Sequence, residues 1–249
     1  MNIKMIVTDL DRTLLRTDET ISEYTKSVFG RCQNMGIKIV FATARSLEGS
    51  QDYRIALNPD GDIVTGGCLV FSGKQLLRSY YLPEPRVATL LAEICAYPLV
   101  TRVSARSLNT AYSNKLIEGK ICIDFKSPLP EKLLHSSCCT DDGDFMNSIA
   151  IRYPEFSFLH NSGSDLYDIN PKDATKFNGV KTISEYFNIP ISEVIAFGDD
   201  YNDVVMLRDC GVGVAMNNAI NECKTVADCI CDTNENDGVA KWIEEKILT

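Results

Sequence analysis

The sequence has little histidine, no long apolar run and no surplus of positive charge. Its two histidines, His135 and His160, have no partner at catalytic spacing, so we interpret both as surface or packing residues. No apolar run approaches the roughly 18 residues of a membrane-spanning helix, which predicts a soluble protein without a membrane partner. The net charge of −9 argues against a nucleic-acid partner, although a local group of cations can still bind a small anionic substrate.

Ten cysteines are present, but they lack the paired CxxC spacing of a zinc site. Cys138 and Cys139 are adjacent, one residue separates Cys229 from Cys231, and the others are scattered. Asp9 interrupts the N-terminus before the apolar segment of a signal peptide could be completed. We therefore expect a cytoplasmic protein with reduced, mostly buried thiols, with a metal or disulfide role as the alternative.

The composition is that of an ordinary globular chain, with 45% hydrophobic and 24% charged residues among 249. At both ends of the chain, short branched apolar runs alternate with helical patterns, which predicts a parallel sheet covered by helices. The predicted strands include 5–7, 37–42 and 194–197, and the predicted helices include 18–33, 174–187 and 204–210.

The pattern changes after Pro83 and Pro85. We predict a smaller inserted α+β domain at 84–165, with the core formed by 1–83 and 166–249. Within the insertion we expect helices at 87–97 and 130–136 and strands at 99–104 and 146–153. The acidic stretch 141–144 is expected to form a solvated loop, with a weak calcium site as the alternative.

The first apolar run ends in two aspartates, Asp9 and Asp11. Residues two apart on an extended chain project to the same side, so the two carboxylates can converge on one small volume. Mg²⁺ suits such a pair, because it prefers hard oxygen ligands and is commonly held by one or two carboxylates. A solvated aspartate turn is the alternative.

Two other segments place polar groups at the ends of predicted elements. Thr43 and Arg45 follow the second strand, where a hydroxyl and a cation can hold a phosphate oxygen; a helix cap with a surface arginine is the alternative. Lys176 lies at a helix start, which disfavours a cation unless an anion is nearby. An ordinary exposed lysine is the alternative there.

A further strand end is crowded with polar groups, namely Asp199, Asp200, Asn202 and Asp203. Acids at a helix start act as caps and suit its dipole, but four polar groups exceed what a cap requires. Together with the polar groups at the other predicted strand ends and at the helix start, these four residues predict phosphoryl transfer. The acids bind a cation, the positive groups neutralise a phosphate, and one aspartate attacks phosphorus.

Four segments together resemble the haloacid dehalogenase superfamily, and within it the Cof-type sugar-phosphate phosphatases with a C2 cap. The matching segments are DLDRTLL at 9–15, ATARS at 42–46, PKDATKFNGVK at 171–181 and GDDYNDVVML at 198–207. The resemblance implies a Rossmann-like parallel-sheet core with an inserted cap. It also implies a Mg²⁺-dependent phosphatase that hydrolyses small phosphorylated metabolites through a phospho-aspartate.

The same resemblance assigns a role to each candidate residue. Asp9 is the nucleophile, and Asp11 is the acid and base. The metal ligands are Asp9, Asp11 through its backbone carbonyl, and Asp199, with Asp203 as the supporting acid. The residues that bind phosphate or substrate are Thr43, Arg45, Lys176 and Asn202.

The chain departs from the family pattern at two positions. Arg12 and Ala44 stand where glycine is usual. Neither change removes a reacting atom, but Arg12 adds a cation that can crowd the turn, bind a substrate anion or alter the rate. A phosphomutase of the same fold and a receiver-like phospho-acceptor protein are the alternative functions.

Overall fold

The structure, a computed structural model, describes residues 2–126, 129, 131–161 and 163–249. The chain divides into two compact units. The core unit comprises Met1–Arg78 and Thr175–Thr249, and the inserted unit comprises Ser79–Ala174. The boundaries expected from the sequence, 84 and 165, lie within the inserted unit, and its role as a cap stays a prediction.

The elements follow one another in three groups along the chain. Before the insertion they are β1 (Met5–Thr8), α1 (Glu23–Asn34), β2 (Lys38–Ala42), α2 (Gln51–Leu57), β3 (Gly61–Val64), β4 (Leu69–Ser72) and β5 (Gln75–Ser79). In the inserted unit they are α3 (Arg86–Ala96), β6 (Arg102–Arg106), β7 (Ala111–Ser113), β8 (Ile121–Cys122), β9 (His135–Cys139), α4 (Gly143–Arg152), β10 (Phe156–His160) and β11 (Leu166–Pro171). After the insertion they are α5 (Lys176–Phe187), β12 (Val194–Gly198), α6 (Val204–Asp209), β13 (Val212–Ala215), α7 (Asn221–Val226), β14 (Cys229–Ile230) and α8 (Gly238–Lys246).

The core unit is built on an eight-stranded sheet with the order β14-β13-β12-β1-β2-β3-β4-β5. The strands from β14 to β3 are parallel, and β4 runs antiparallel to β3. The register places Thr8 of β1 opposite Phe197 on one side and Phe41 on the other. The residues that follow β1, β2 and β12 therefore leave the same edge of the sheet side by side.

The central strand is apolar because it is covered on both faces. Met5, Ile6 and Val7 are fully buried, as in parallel strands packed between helices. Burial of each such side chain stabilises a fold by roughly 1.5–3 kcal/mol. The carboxyl end of β1 is thus held by a fully buried strand, which suits precise placement of the side chains that follow it.

The inserted unit has its own six-stranded sheet, with the order β10-β11-β9-β6-β7-β8. Its neighbouring strands are antiparallel except for the parallel pair β7 and β8. Leu90, Ile94 and Val103 belong to a separate apolar core. The helix predicted at 130–136 is wrong, because residues from 135 onward form β9, while Pro130 lies outside the described residues.

The strand predicted at 146–153 is also wrong, since these residues form α4 and its end. The Asp142 side chain accepts a hydrogen bond from a backbone N–H in the first turn and caps this helix. Met146 and Ile149, three residues apart, are buried, whereas Ile151 is exposed. That spacing is helical, and the expected acidic loop is in part the start of α4.

No helix in the described part of the chain is both long and apolar enough to span a bilayer. Most of the ten cysteines are buried, as expected from the sequence. Cys122 is the exposed one. Burial raises the pKa of several of these thiols, for example that of Cys138 to about 12, so they are protonated at neutral pH.

Candidate active site

Three aspartates from two adjacent strand ends meet at the edge of the core sheet. Asp9 follows β1, and Asp199 and Asp203 follow β12. Each offers one carboxylate oxygen, and these oxygens lie within 4.8 Å of one another. All three residues are buried. We call Asp9, Asp199 and Asp203 the acidic trio.

Lys176 places its ammonium group against this trio from the first residue of α5. Its Nζ donates to Oδ1 of Asp9 at 2.6 Å and to Oδ1 of Asp203 at 2.7 Å. The side chain is only 1% exposed. The sequence left an exposed lysine as the alternative, and the structure places Lys176 inside the protein instead. A cation at this helix start is tolerated because two anions face it.

Asp203 also organises the turn after β12. Its Oδ2 accepts hydrogen bonds from the backbone N–H groups of Asp199, at 3.0 Å, and Asp200, at 3.2 Å. Gly198 makes this approach possible, because a Cβ there would lie 2.5 Å from the Cβ of Asp203. Asp203 therefore fixes the backbone that carries Asp199 while it contacts Lys176.

The trio carries more negative charge than Lys176 can balance. Burial raises the pKa of Asp9 well above its ordinary value, and the charges of Asp203 and Asp199 add to this effect against the opposing charge of Lys176. Burial and the charge of Asp203 raise the pKa of Asp199 to about 7. Burial lowers the pKa of Lys176, but Asp203 and Asp9 outweigh it and raise this pKa above its ordinary value. The site therefore stabilises a further positive charge.

The donor set fits Mg²⁺. Carboxylate oxygens are the hard ligands that this ion prefers, and no sulfur or imidazole ligand belongs to the trio. The excess of buried negative charge is what a divalent cation would neutralise. Asp9 and Asp199 are the residues of the trio that we expect to hold it, with Asp203 as support.

The Asp11 side chain does not belong to the trio. Arg45 holds it, with Nη2 at 2.6 Å from Oδ1 and Nε at 2.9 Å from Oδ2. The Arg45 guanidinium also lies 3.0 Å from the Glu19 carboxylate. The structure thus pairs the expected proton donor with the expected substrate-binding arginine, and the backbone carbonyl of Asp11 remains its proposed metal contact.

The other two candidates are polar groups near the strand ends. Thr43 is fully buried after β2, and its hydroxyl accepts from the backbone N–H of Arg45 at 3.0 Å. The hydroxyl proton can still be donated to a phosphate oxygen. Oδ1 of Asn202 is buried and has no hydrogen-bond partner among the described residues. An unsatisfied buried acceptor is costly, which favours a ligand-related role.

The sequence argument missed Thr13. Its hydroxyl donates to Oδ1 of Asp199 at 2.8 Å and so orients one of the expected metal ligands. Thr13 lies in the same segment as Asp9 and Asp11, two residues after the second aspartate. Arg12, between Asp11 and Thr13, has a φ of +58°, so the two-residue spacing of an extended strand does not continue to Thr13 and does not point to it.

The sequence profile of the haloacid dehalogenase-like hydrolase family matches residues 6–243 of this chain. A candidate phosphatase of Haemophilus influenzae is 32% identical, with 99% of each chain covered. The 5-amino-6-(5-phospho-D-ribitylamino)uracil phosphatase YcsE of Bacillus subtilis is 24% identical, over 100% of this chain and 97% of its own. Among solved structures, the HAD subclass IIB sugar phosphatase BT4131 has a similar fold, with a TM-score of 0.87 at 21% identity over 97% of this chain and 98% of its own.

Proposed function

Because the chain belongs to the haloacid dehalogenase-like hydrolases, we propose that it is a Mg²⁺-dependent phosphatase of small phosphorylated metabolites that works through a phospho-aspartate. The observation that carries the proposal is the acidic trio with Lys176 buried against it. It supports the proposal because a carboxylate that could attack phosphorus lies beside a cation that could offset the charge of a phosphoryl group.

In the first step, an Asp9 carboxylate oxygen forms a bond to phosphorus and the bond from phosphorus to the substrate's ester oxygen breaks. Asp11 gives its proton to the departing oxygen, which leaves as an alcohol. Lys176 contacts Asp9 and steadies its negative charge. Bound Mg²⁺ would supply further positive charge to offset that of the phosphoryl group.

In the second step, Asp11 removes a proton from water, and the water oxygen bonds to phosphorus. The bond between phosphorus and Asp9 breaks, which restores the carboxylate and releases inorganic phosphate. Arg45 sets the position of the Asp11 carboxylate through its two N–H contacts. Thr43 supplies a hydroxyl for a phosphate oxygen.

The substrate class that we propose is a phosphorylated sugar or sugar-like polyol. Two of the proteins compared above support it, one being named a sugar phosphatase and the other a phosphatase of a phosphoribityl compound. A panel of phosphorylated sugars, polyols and nucleotides would rank these substrates by kcat/KM. Faster turnover of nucleotides than of every sugar phosphate would contradict the proposed class.

The reaction itself can be tested with p-nitrophenyl phosphate. We expect phosphate release with Mg²⁺, loss of release after EDTA treatment, and loss of turnover in Asp9→Asn. Asp52→Asn is the matched control, because Asp52 is an exposed acid in the first turn of α2. Normal turnover in Asp9→Asn, or no release from any ester in the panel, would contradict the proposal.

A further inference from the structure

Arg12 occupies a backbone position that favours glycine. Its φ is +58°, in the left-handed region, where a side chain is disfavoured in L-residues. Asn218 supports the strained peptide, since its Nδ2 donates to the Arg12 carbonyl oxygen at 2.7 Å. Glycine would adopt this backbone without strain. The contacts of the Arg12 side chain are therefore the place to look for what offsets the strain.

The guanidinium of Arg12 lies beside the acidic trio. Its Nε is 3.7 Å from Oδ2 of Asp199, and its Nη2 donates to the Asn218 carbonyl oxygen at 3.4 Å. The other oxygen of Asp199 accepts from Thr13. Both oxygens of this expected metal ligand are thus already engaged, one by a hydroxyl and the other by a full positive charge.

We propose that Arg12 is a positioning residue that lowers the affinity of the acidic trio for divalent cations by holding Asp199 and adding positive charge beside it. The inference rests on the proposed function, because it presumes that the trio binds Mg²⁺. The sequence left open that Arg12 crowds the turn, binds a substrate anion or alters the rate. A lower metal affinity is one way to alter the rate, and it differs from the first two effects.

The physical cause is competition between cations for one carboxylate. The Arg12 guanidinium lies 3.7 Å from Oδ2 of Asp199 and carries a positive charge that repels the metal. The side chain is 53% exposed, so solvent screens this repulsion in part. Arg12 would therefore tune the metal affinity without abolishing it and make occupancy of the site depend on the Mg²⁺ concentration.

Isothermal titration calorimetry with MgCl2 at constant ionic strength tests the proposal. Arg12→Asn removes the charge and keeps a residue that tolerates the left-handed backbone, while Arg12→Lys keeps the charge. Lys4→Asn is the matched control, since Lys4 has a similar exposure of 54% and pairs with Glu193 at the opposite end of β1. This control variant reports how the change in net charge alone affects the Mg²⁺ affinity.

We expect Arg12→Asn to bind Mg²⁺ about three- to tenfold more tightly, the range for a half-exposed charge that acts on a divalent ion. Lys4→Asn should bind within about twofold of the wild type, and Arg12→Lys should bind more weakly than Arg12→Asn. The Mg²⁺-dependent rise in melting temperature should follow the same order.

Three results would overturn the inference. The first is an affinity of Arg12→Asn within about twofold of the wild type, and the second is an equal gain in Lys4→Asn. The third is weaker inhibition of Arg12→Asn by inorganic phosphate at unchanged Mg²⁺ affinity, which would assign Arg12 to the substrate. A wild-type protein that binds no Mg²⁺ would instead overturn the metal site of the proposed function.

Discussion

Replacing Lys176 by methionine removes a buried positive charge from the acidic trio with little change in side-chain volume. The ammonium lies 2.6 Å from Asp9 and 2.7 Å from Asp203, and all three side chains are nearly inaccessible to solvent. The substitution leaves two carboxylates in the protein interior without this partner. Removing one member of a buried charge pair costs about 3–5 kcal/mol of unfolding free energy.

The assay is urea denaturation in EDTA, followed by circular dichroism, with Lys181→Met as the control. Lys181 lies on the same helix but is exposed, so its replacement should change the free energy of unfolding by no more than about 0.5 kcal/mol. For a chain of this size, the expected loss in Lys176→Met lowers the melting temperature by at least about 6 °C. Saturating Mg²⁺ should reduce the difference in melting temperature between Lys176→Met and the wild type, because it returns positive charge to the trio.

The double variant Lys176→Met/Asp203→Asn separates charge from packing. If the cost arises from uncompensated carboxylates, removing one of them should recover stability, and the double variant should lose about 0.5–3 kcal/mol less than the sum of the single changes. Phosphatase activity of Lys176→Met should fall by about 10²–10³-fold, as when one stabilising donor is removed. A destabilisation equal to that of Lys181→Met would refute the reasoning.

Three further predictions concern backbone space and pH. Gly198→Ala should lose activity and at least about 1 kcal/mol of stability in the same assays, because the new Cβ would overlap Asp203. Gly30→Ala, within α1, should instead gain about 1 kcal/mol, because apart from its chain neighbours and the adjacent helix backbone no described atom lies within 4 Å of its new Cβ; a loss would contradict this. Burial raises the pKa of Asp168, but the hydrogen bond and charge of His135 outweigh it and hold the pKa below its ordinary value. That stabilisation is present above the unfolded-state pKa and lost as the pH falls through the folded-state pKa, so Asp168→Asn should lower the melting temperature at about pH 5 but not at about pH 2.

The strand ends were predictable from the sequence because they depend on local composition. A short branched apolar run such as Met5–Thr8 can form a buried strand, and parallel neighbours bring their carboxyl ends to one edge. The structure accordingly brings Asp9, Asp199 and Lys176 together. The catalytic roles of these residues stay predictions.

The side-chain partners could not be predicted in the same way. Arg45 and Asp11 are 34 positions apart, and Thr13 and Asp199 are 186 positions apart. These contacts depend on rotamers and on turn geometry that hydrophobic periodicity does not encode. The strand wrongly expected at 146–153 has a different cause, since the capping signal before it was interpreted as a loop.

The hydrogen-bond register around β1 has a consequence for which changes this protein can tolerate. Thr8 is aligned with Phe197 of β12 and Phe41 of β2. Asp9 therefore leaves the sheet beside the residues that follow these strands only if β1 keeps its length. Deletion of one residue from Met5–Thr8 would turn the strand residues that follow the deletion to the opposite face of the sheet and would displace Asp9. Exchanges among Ile, Val and Leu here should be mild, whereas single-residue insertions and deletions should be as damaging as loss of Asp9 itself.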